Sequence, residues 1–193
     1  MGIEFELKFR ATPEQLAAIG KDISAPQQHF EMQTTYYDTP EGALSDRFYT
    51  LRCRLENGIG VCTFKYPAGE QDRGEAELQC ENIRDAIPEL CKLSGVEELA
   101  SLTTAGIVPV CGAKFTRIAK TVQMEDCTVE IALDSGILHG GEKTVPLYEV
   151  EVELKAGSRQ AATAYATALA FRYGLQQETH SKFRRALALA QGE

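Results

Sequence analysis

The sequence has no apolar run approaching the length of a membrane span, and Glu4 and Glu6 interrupt the only candidate for a charged-then-apolar leader. A cytoplasmic protein with no membrane association is therefore expected. Positive charge is also in short supply. Twenty lysines and arginines stand against 28 aspartates and glutamates, a formal net charge of −8. This argues against a nucleic-acid partner, because a phosphate backbone requires a basic face. It leaves room for a small anion in a local basic pocket. The six cysteines, at 53, 62, 80, 91, 111 and 127, show neither CxxC spacing nor a nearby histidine, which points away from zinc and from a redox pair. They read as reduced, packed small hydrophobes. No repeat, low-complexity tract or linker divides the 193 residues, so a single domain over 1–193 is expected.

What the chain does have is alternation. In Ile3-Glu4-Phe5-Glu6-Leu7-Lys8-Phe9-Arg10 every even position is charged and every odd one apolar, so a strand places the charges on one face. The same script returns at Glu149-Val150-Glu151-Val152-Glu153-Leu154-Lys155. Two such acidic strands would repel if they faced each other with nothing between them, so either a cation sits there or they never meet.

Between these strands, Thr12-Pro13-Glu14-Gln15 carries a capping box and opens a short helix. Further strands are expected leading into Tyr36-Tyr37, at Phe48 to Glu56, at Val61 to Tyr66 after the Asn57-Gly58 turn, and at Arg73 to Glu81. Helical spacing takes over from Asp85 to Thr104. Strands resume at Ala113 to Met124, Cys127 to Ser135 and Thr144 to Lys155, with His139-Gly140-Gly141 as a turn. Ser158 and Ser181 then introduce two closing helices. About eight antiparallel strands commonly close into a barrel, giving a mainly β, α+β protein with helices outside and at the C-terminus.

The charged positions could form a solvated face over an apolar core, or they could line a lumen whose greasy outer side is covered by helices. Their sorting favours the lumen. Acids concentrate on the two flanking strands, whereas Arg52, Arg54 and Lys65 share one hairpin. Carboxylates on alternate residues, about 6.6 Å apart, are hard oxygen ligands suited to Mg²⁺ or Mn²⁺. Guanidinium groups with the same spacing can grip successive phosphoryl groups.

Glu4, Glu6 and Lys8 as ExExK, YYDTP at 36 to 40, Arg52 and Arg54 as RxR, Lys65, Arg117, the Glu130-to-Asp134 strand, ExExE at 149 to 153 and Ser181-Lys182 together resemble the CYTH superfamily, the triphosphate tunnel metalloenzymes. The match runs the length of the chain and is most similar to the bacterial inorganic triphosphatase branch. The resemblance implies an eight-stranded antiparallel tunnel with a charged interior that takes a triphosphate and a divalent metal. By position it implies Glu4, Glu6, Glu149, Glu151 and Glu153 near metal, and Lys8, Arg52, Arg54, Lys65, Arg117 and Lys182 on phosphate. It also implies Lys8 and Tyr36 as the pair that activates water; adjacent tyrosines point to opposite faces, so only one of Tyr36 and Tyr37 can enter the tunnel. The chain contains no tryptophan to stack a thiamine ring. It also ends without the histidine-rich helical domain of many bacterial relatives, which implies no coupling through such a domain. The expected activity is metal-dependent hydrolysis of tripolyphosphate. The alternatives are an adenylate cyclase, a nucleoside or thiamine triphosphatase, and a non-catalytic triphosphate binder.

Overall fold

The computed structural model describes residues 2–69 and 72–192. Its strands are β1 (Gly2–Glu4), β2 (Glu6–Arg10), β3 (Gln27–Asp38), β4 (Thr50–Glu56), β5 (Ile59–Pro67), β6 (Arg73–Gln79), β7 (Val108–Gln123), β8 (Cys127–Gly140), β9 (Lys143–Gly157) and β10 (Gln176–Gln177). The helices are α1 (Pro13–Asp22), α2 (Ile83–Ser94), α3 (Glu98–Leu102), α4 (Arg159–Tyr173) and α5 (Lys182–Gln191). All ten strands join one antiparallel sheet in the order β1-β6-β5-β4-β3-β7-β8-β9-β2-β10.

That order is open, with β1 and β10 at its ends, so the pairing does not give the expected closed eight-stranded barrel. The difference arises in the first strand, which changes partner at Phe5. Residues before it pair with β6, residues after it pair with β9, and the Phe5 carbonyl accepts from Leu154 N–H at 2.9 Å. The side chain of Ile3, expected on the apolar face, lies outside the described residues.

Local chemistry sets the helix ends. Thr12 Oγ1 accepts from the Gln15 N–H at 3.3 Å while the Gln15 side chain accepts from the Thr12 N–H at 2.8 Å, and Pro13 occupies the first turn. Asn82 caps α2, and Gly95, at φ 72°, ends it in the left-handed region. The Asp38 of YYDTP is structural. Buried, it accepts from the backbone of Thr39, Leu44 and Ser45 at 2.7–3.0 Å and so shapes the loop before β4. His139, expected in a turn, belongs to β8, which runs on through Gly140 before the chain reverses.

The apolar parity is covered by helices. Leu51, Phe64 and Ala76 pack with Ile87 and Leu90 of α2. Val129, Ile131, Val150 and Val152 pack with Ile19 of α1 and Ala166 of α4. Each fully buried Leu, Ile or Phe contributes about 1.5–3 kcal/mol. A third cluster adds an apolar side to the expected charged interior: Met32, Tyr36, Phe115 and Leu147 pack against Phe183 and Ala186 of α5. All six cysteines are free, and Cys62, Cys91, Cys111 and Cys127 are buried, as expected of packed small hydrophobes.

Gly136 lies opposite Phe115 on adjacent strands. A Cβ there would fall 2.2 Å from the Lys114 carbonyl oxygen and 2.5 Å from Phe115 Cα, both backbone atoms that cannot step aside. Gly136→Ala is expected to destabilise the fold by about 1–3 kcal/mol, read as a lower urea midpoint at unchanged slope.

Candidate active site

The charged parity of the strands converges on a cavity of about 320 Å³. Its wall carries eight carboxylates and eight Lys or Arg side chains. Glu4, Glu6, Lys8, Tyr36, Arg52, Arg54, Lys65, Arg117, Glu151, Glu153 and Lys182 all line it. Of the residues expected at the site, Glu149 alone is set behind the wall, fully buried.

On the basic side, β4 and β5 pair so that Arg52 lies opposite Thr63 and Arg54 opposite Val61. Arg52 reaches Glu75 and Glu77 only at 3.7 and 3.9 Å, and its buried Nε has no hydrogen-bond partner among the described residues. Arg54 donates to Thr34 Oγ1 at 3.1 Å and lies 3.4 Å from Glu56. Burial, with Arg52 and Arg117 close by, pulls its pKa down to about 10. A desolvated guanidinium without a matching carboxylate is poised for an anion. Lys65 is held differently, bonded to Glu4 and 3.5 Å from Glu75.

The two acidic strands do meet. The register of β2 and β9 sets Lys8 opposite Glu151 and Arg10 opposite Glu149 but leaves Glu6 facing Glu153, which in turn faces Glu130 on β8. Three carboxylates thus occupy successive cross-strand positions, an arrangement that costs energy unless a cation joins them. Two cations of the chain reach this row: Lys8 is 2.9 Å from Glu6, and the more exposed Lys155 is 2.8 Å from Glu153 and 3.7 Å from Glu130. Burial, with Glu4 and Glu130 adding to it, pushes the Glu153 pKa up despite Lys155. Hard oxygen donors whose mutual repulsion is incompletely offset fit a divalent cation.

A second acidic group lies deeper. Asp134, Glu149 and Glu151 offer oxygens within 4.8 Å of one another, the spacing of a metal cage. The cation among them is the Lys182 ammonium, 2.8 Å from Asp134, 2.6 Å from Glu151 and bonded to Glu149. Arg117 forks onto Asp134 with two bonds of 2.7 Å and also reaches Glu151. Arg185 closes the group from behind by bonding Glu149. Burial raises Glu149 to about 7 against the pull of Lys182 and Arg185. Burial also opposes ionisation of Glu151, but Lys182 and Arg117 outweigh it and hold that carboxylate well below its ordinary range.

The remaining wall is apolar: Phe30, Met32, Tyr36 and Phe183. Tyr36 is almost wholly buried, its ring 5.1 Å from that of Phe183, whereas Tyr37 packs into the cluster under α2. One tyrosine enters, as adjacent positions on a strand require. For Lys8, burial pulls the pKa down, but Glu6 together with Glu151 and Glu149 more than offsets it and the net direction is up. Sequence reading alone did not mark Phe115, Phe183 or Arg185. Arg185 had one available signal, since it follows Lys182 by three residues and so shares its helix face.

Fold and site together define a class: an antiparallel β protein whose charged cavity sets under-compensated guanidinium groups beside a row of carboxylates. The chain belongs to the CYTH domain family, whose model matches residues 2–187. It is 27% identical over 194 residues to the inorganic triphosphatase of Haemophilus influenzae, covering 96% of this chain. The chain spans about half of that relative, 54% of its length. Among solved structures, a putative adenylyl cyclase from Hippeastrum described as having a dominant triphosphatase activity aligns at a TM-score of 0.65 and 17% identity, over 100% of this chain and 97% of the other. A putative adenylate cyclase from Bacillus halodurans aligns at 0.64 and 17% identity, over 95% and 96%. At these identities the two structures show a common fold. No helix among the described residues is long and apolar enough to cross a membrane.

Proposed function

We propose that this protein hydrolyses inorganic tripolyphosphate to pyrophosphate and phosphate with Mg²⁺ or Mn²⁺. The observation that carries this reading is the pairing of the partly buried Arg52 and the buried Arg54, both short of close carboxylate partners, with the Glu6–Glu153–Glu130 row in one cavity. The Haemophilus influenzae relative supports it. We propose further that the cavity is a tunnel, with the first strand as its seam, because β1 and β2 are one residue apart yet pair with β6 and β9.

The eight acids and eight bases of the wall cancel formally, so a multiply charged polyanion needs added positive charge to enter at low cost. Glu4, Glu6 and Glu153, with Glu130, would hold a divalent cation, which when bound would neutralise charge on the pyrophosphate leaving group. Glu149 and Glu151 serve chiefly to fix Lys182. Arg52, Arg54, Lys65, Arg117 and Lys182 bind the phosphoryl oxygens and stabilise the charge that develops as water attacks in line and the bridging P–O bond breaks. Lys8, kept protonated by Glu6, orients rather than accepts a proton, and Tyr36 flanks the attacking water from the apolar wall.

The test is phosphate release from tripolyphosphate, ATP and thiamine triphosphate, each with Mg²⁺ or Mn²⁺, with and without EDTA. Tripolyphosphate should be turned over fastest and EDTA should abolish activity. Cyclic AMP from ATP would replace the reading with a cyclase, and binding without turnover with a non-catalytic binder. Glu153→Gln, whose only ion-pair partner among the described residues is the half-exposed Lys155, should keep the fold and raise the metal concentration for half-maximal rate by about tenfold or more.

A further inference from the structure

Three of the cavity's cations gather round one ring. Phe115 of β7 is 3% exposed, and its centroid lies 5.9 Å from Arg54 Cζ, 5.8 Å from Arg117 Cζ and 5.5 Å from Lys182 Nζ. All three are within cation–π range and come from three different elements, β4, β7 and α5. We propose that Phe115 is a positioning residue for phosphate binding, gathering Arg54, Arg117 and Lys182 at one point of the wall without itself occupying any of their N–H donors. The inference rests on the reading of the cavity as a triphosphate site.

The chemistry favours a ring over an acid. Like charges brought together in a desolvated wall repel, and Arg54, whose one carboxylate partner among the described residues is Glu56 at 3.4 Å, has its pKa pulled down by burial, Arg52 and Arg117. A further carboxylate at this point would relieve the repulsion but take up Arg54 donors as Asp134 and Glu151 already take up donors of Arg117 and Lys182. An aromatic quadrupole offsets the charge without accepting a hydrogen bond in the guanidinium plane. The strand is arranged to admit the ring: Phe115 has Gly136 opposite it on β8 and the flexible Met32 opposite it on β3.

The test replaces Phe115 with phenylalanines carrying one, two and three ring fluorines, which withdraw π density with little change of size, and separately with leucine. Binding of imido-bridged tripolyphosphate, which is not hydrolysed, is measured by calorimetry with Mg²⁺ present, alongside the melting temperature. Kd should climb stepwise with fluorine number, reaching about tenfold at three, with melting temperature unchanged, and Phe115→Leu should match the top of the series. A flat Kd across the fluorinated series, with the unmodified protein binding normally, overturns the positioning role alone, even if the leucine variant does not fold. Absence of binding by the unmodified protein overturns the triphosphate reading and this inference with it.

Discussion

Arg52→Ala is expected to lower kcat/KM for tripolyphosphate by about a hundredfold or more, equivalent to about 3 kcal/mol, while leaving the fold nearly as stable as before. The two halves of this expectation have the same cause. Arg52 is partly buried in the wall, but its nearest carboxylates are 3.7 and 3.9 Å away and its buried Nε is unsatisfied among the described residues. It therefore contributes little to folding, and Glu75, one of its two acids, keeps Lys65 at 3.5 Å when it is removed. Its donors are free for an anion, and in a desolvated cavity each charge-assisted bond that strengthens in the transition state counts heavily. Steady-state kinetics and a thermal melt on the same preparation check both parts. A variant that loses stability but keeps its rate would reassign Arg52 to the structure.

Lys182→Met is expected to do the reverse in emphasis, destabilising the fold by about 3–5 kcal/mol and lowering the melting temperature by about 10 °C or more. Its ammonium touches Asp134, Glu149 and Glu151, the first two fully buried, and methionine keeps the bulk while removing one of the two cations that each carboxylate bonds. Activity should fall too, because Arg117 shares two of those acids. The sign of the pH dependence follows from Glu151. Its pKa is held well below the ordinary 4.5 once Lys182 and Arg117 outweigh burial. The stabilisation this contributes is complete above about pH 4.5 and is lost as pH falls through the depressed value. The stability gap between the original protein and Lys182→Met should be widest near pH 7 and narrow in acid, as measured by urea denaturation at a series of pH values.

Alternation made most of the fold legible from residues alone. Charged residues alternate with uncharged ones along β2, most of β4 and β6, and residues 149–155 of β9, and a strand leaves such a pattern only two faces. The capping box of α1 and the Asn57-Gly58 turn are equally local, and both stand as read. The cysteines lacked ligand spacing, and all six are free. The switch of partners at Phe5 was not legible, because nothing in ExExK distinguishes a strand with one neighbour from a strand that changes neighbours halfway.

The division is plainest at the site. The residue types and their parity determined by themselves that acids, arginines and lysines would share one face, since that needs only the two-residue period of a strand. Which charges cancel depended on register across strands far apart in the chain. Sliding β9 by two residues against β2 would oppose other pairs, whereas the register found sets Lys8 opposite Glu151 and Arg10 opposite Glu149 and leaves Glu6, Glu153 and Glu130 in a row. The apolar side of the cavity was decided in the same way. Nothing in the residues themselves marks Phe115, Phe183 and Met32 for the cavity; α5 carries Lys182 and Phe183 inward against β7 and the sheet brings Arg54 beside them.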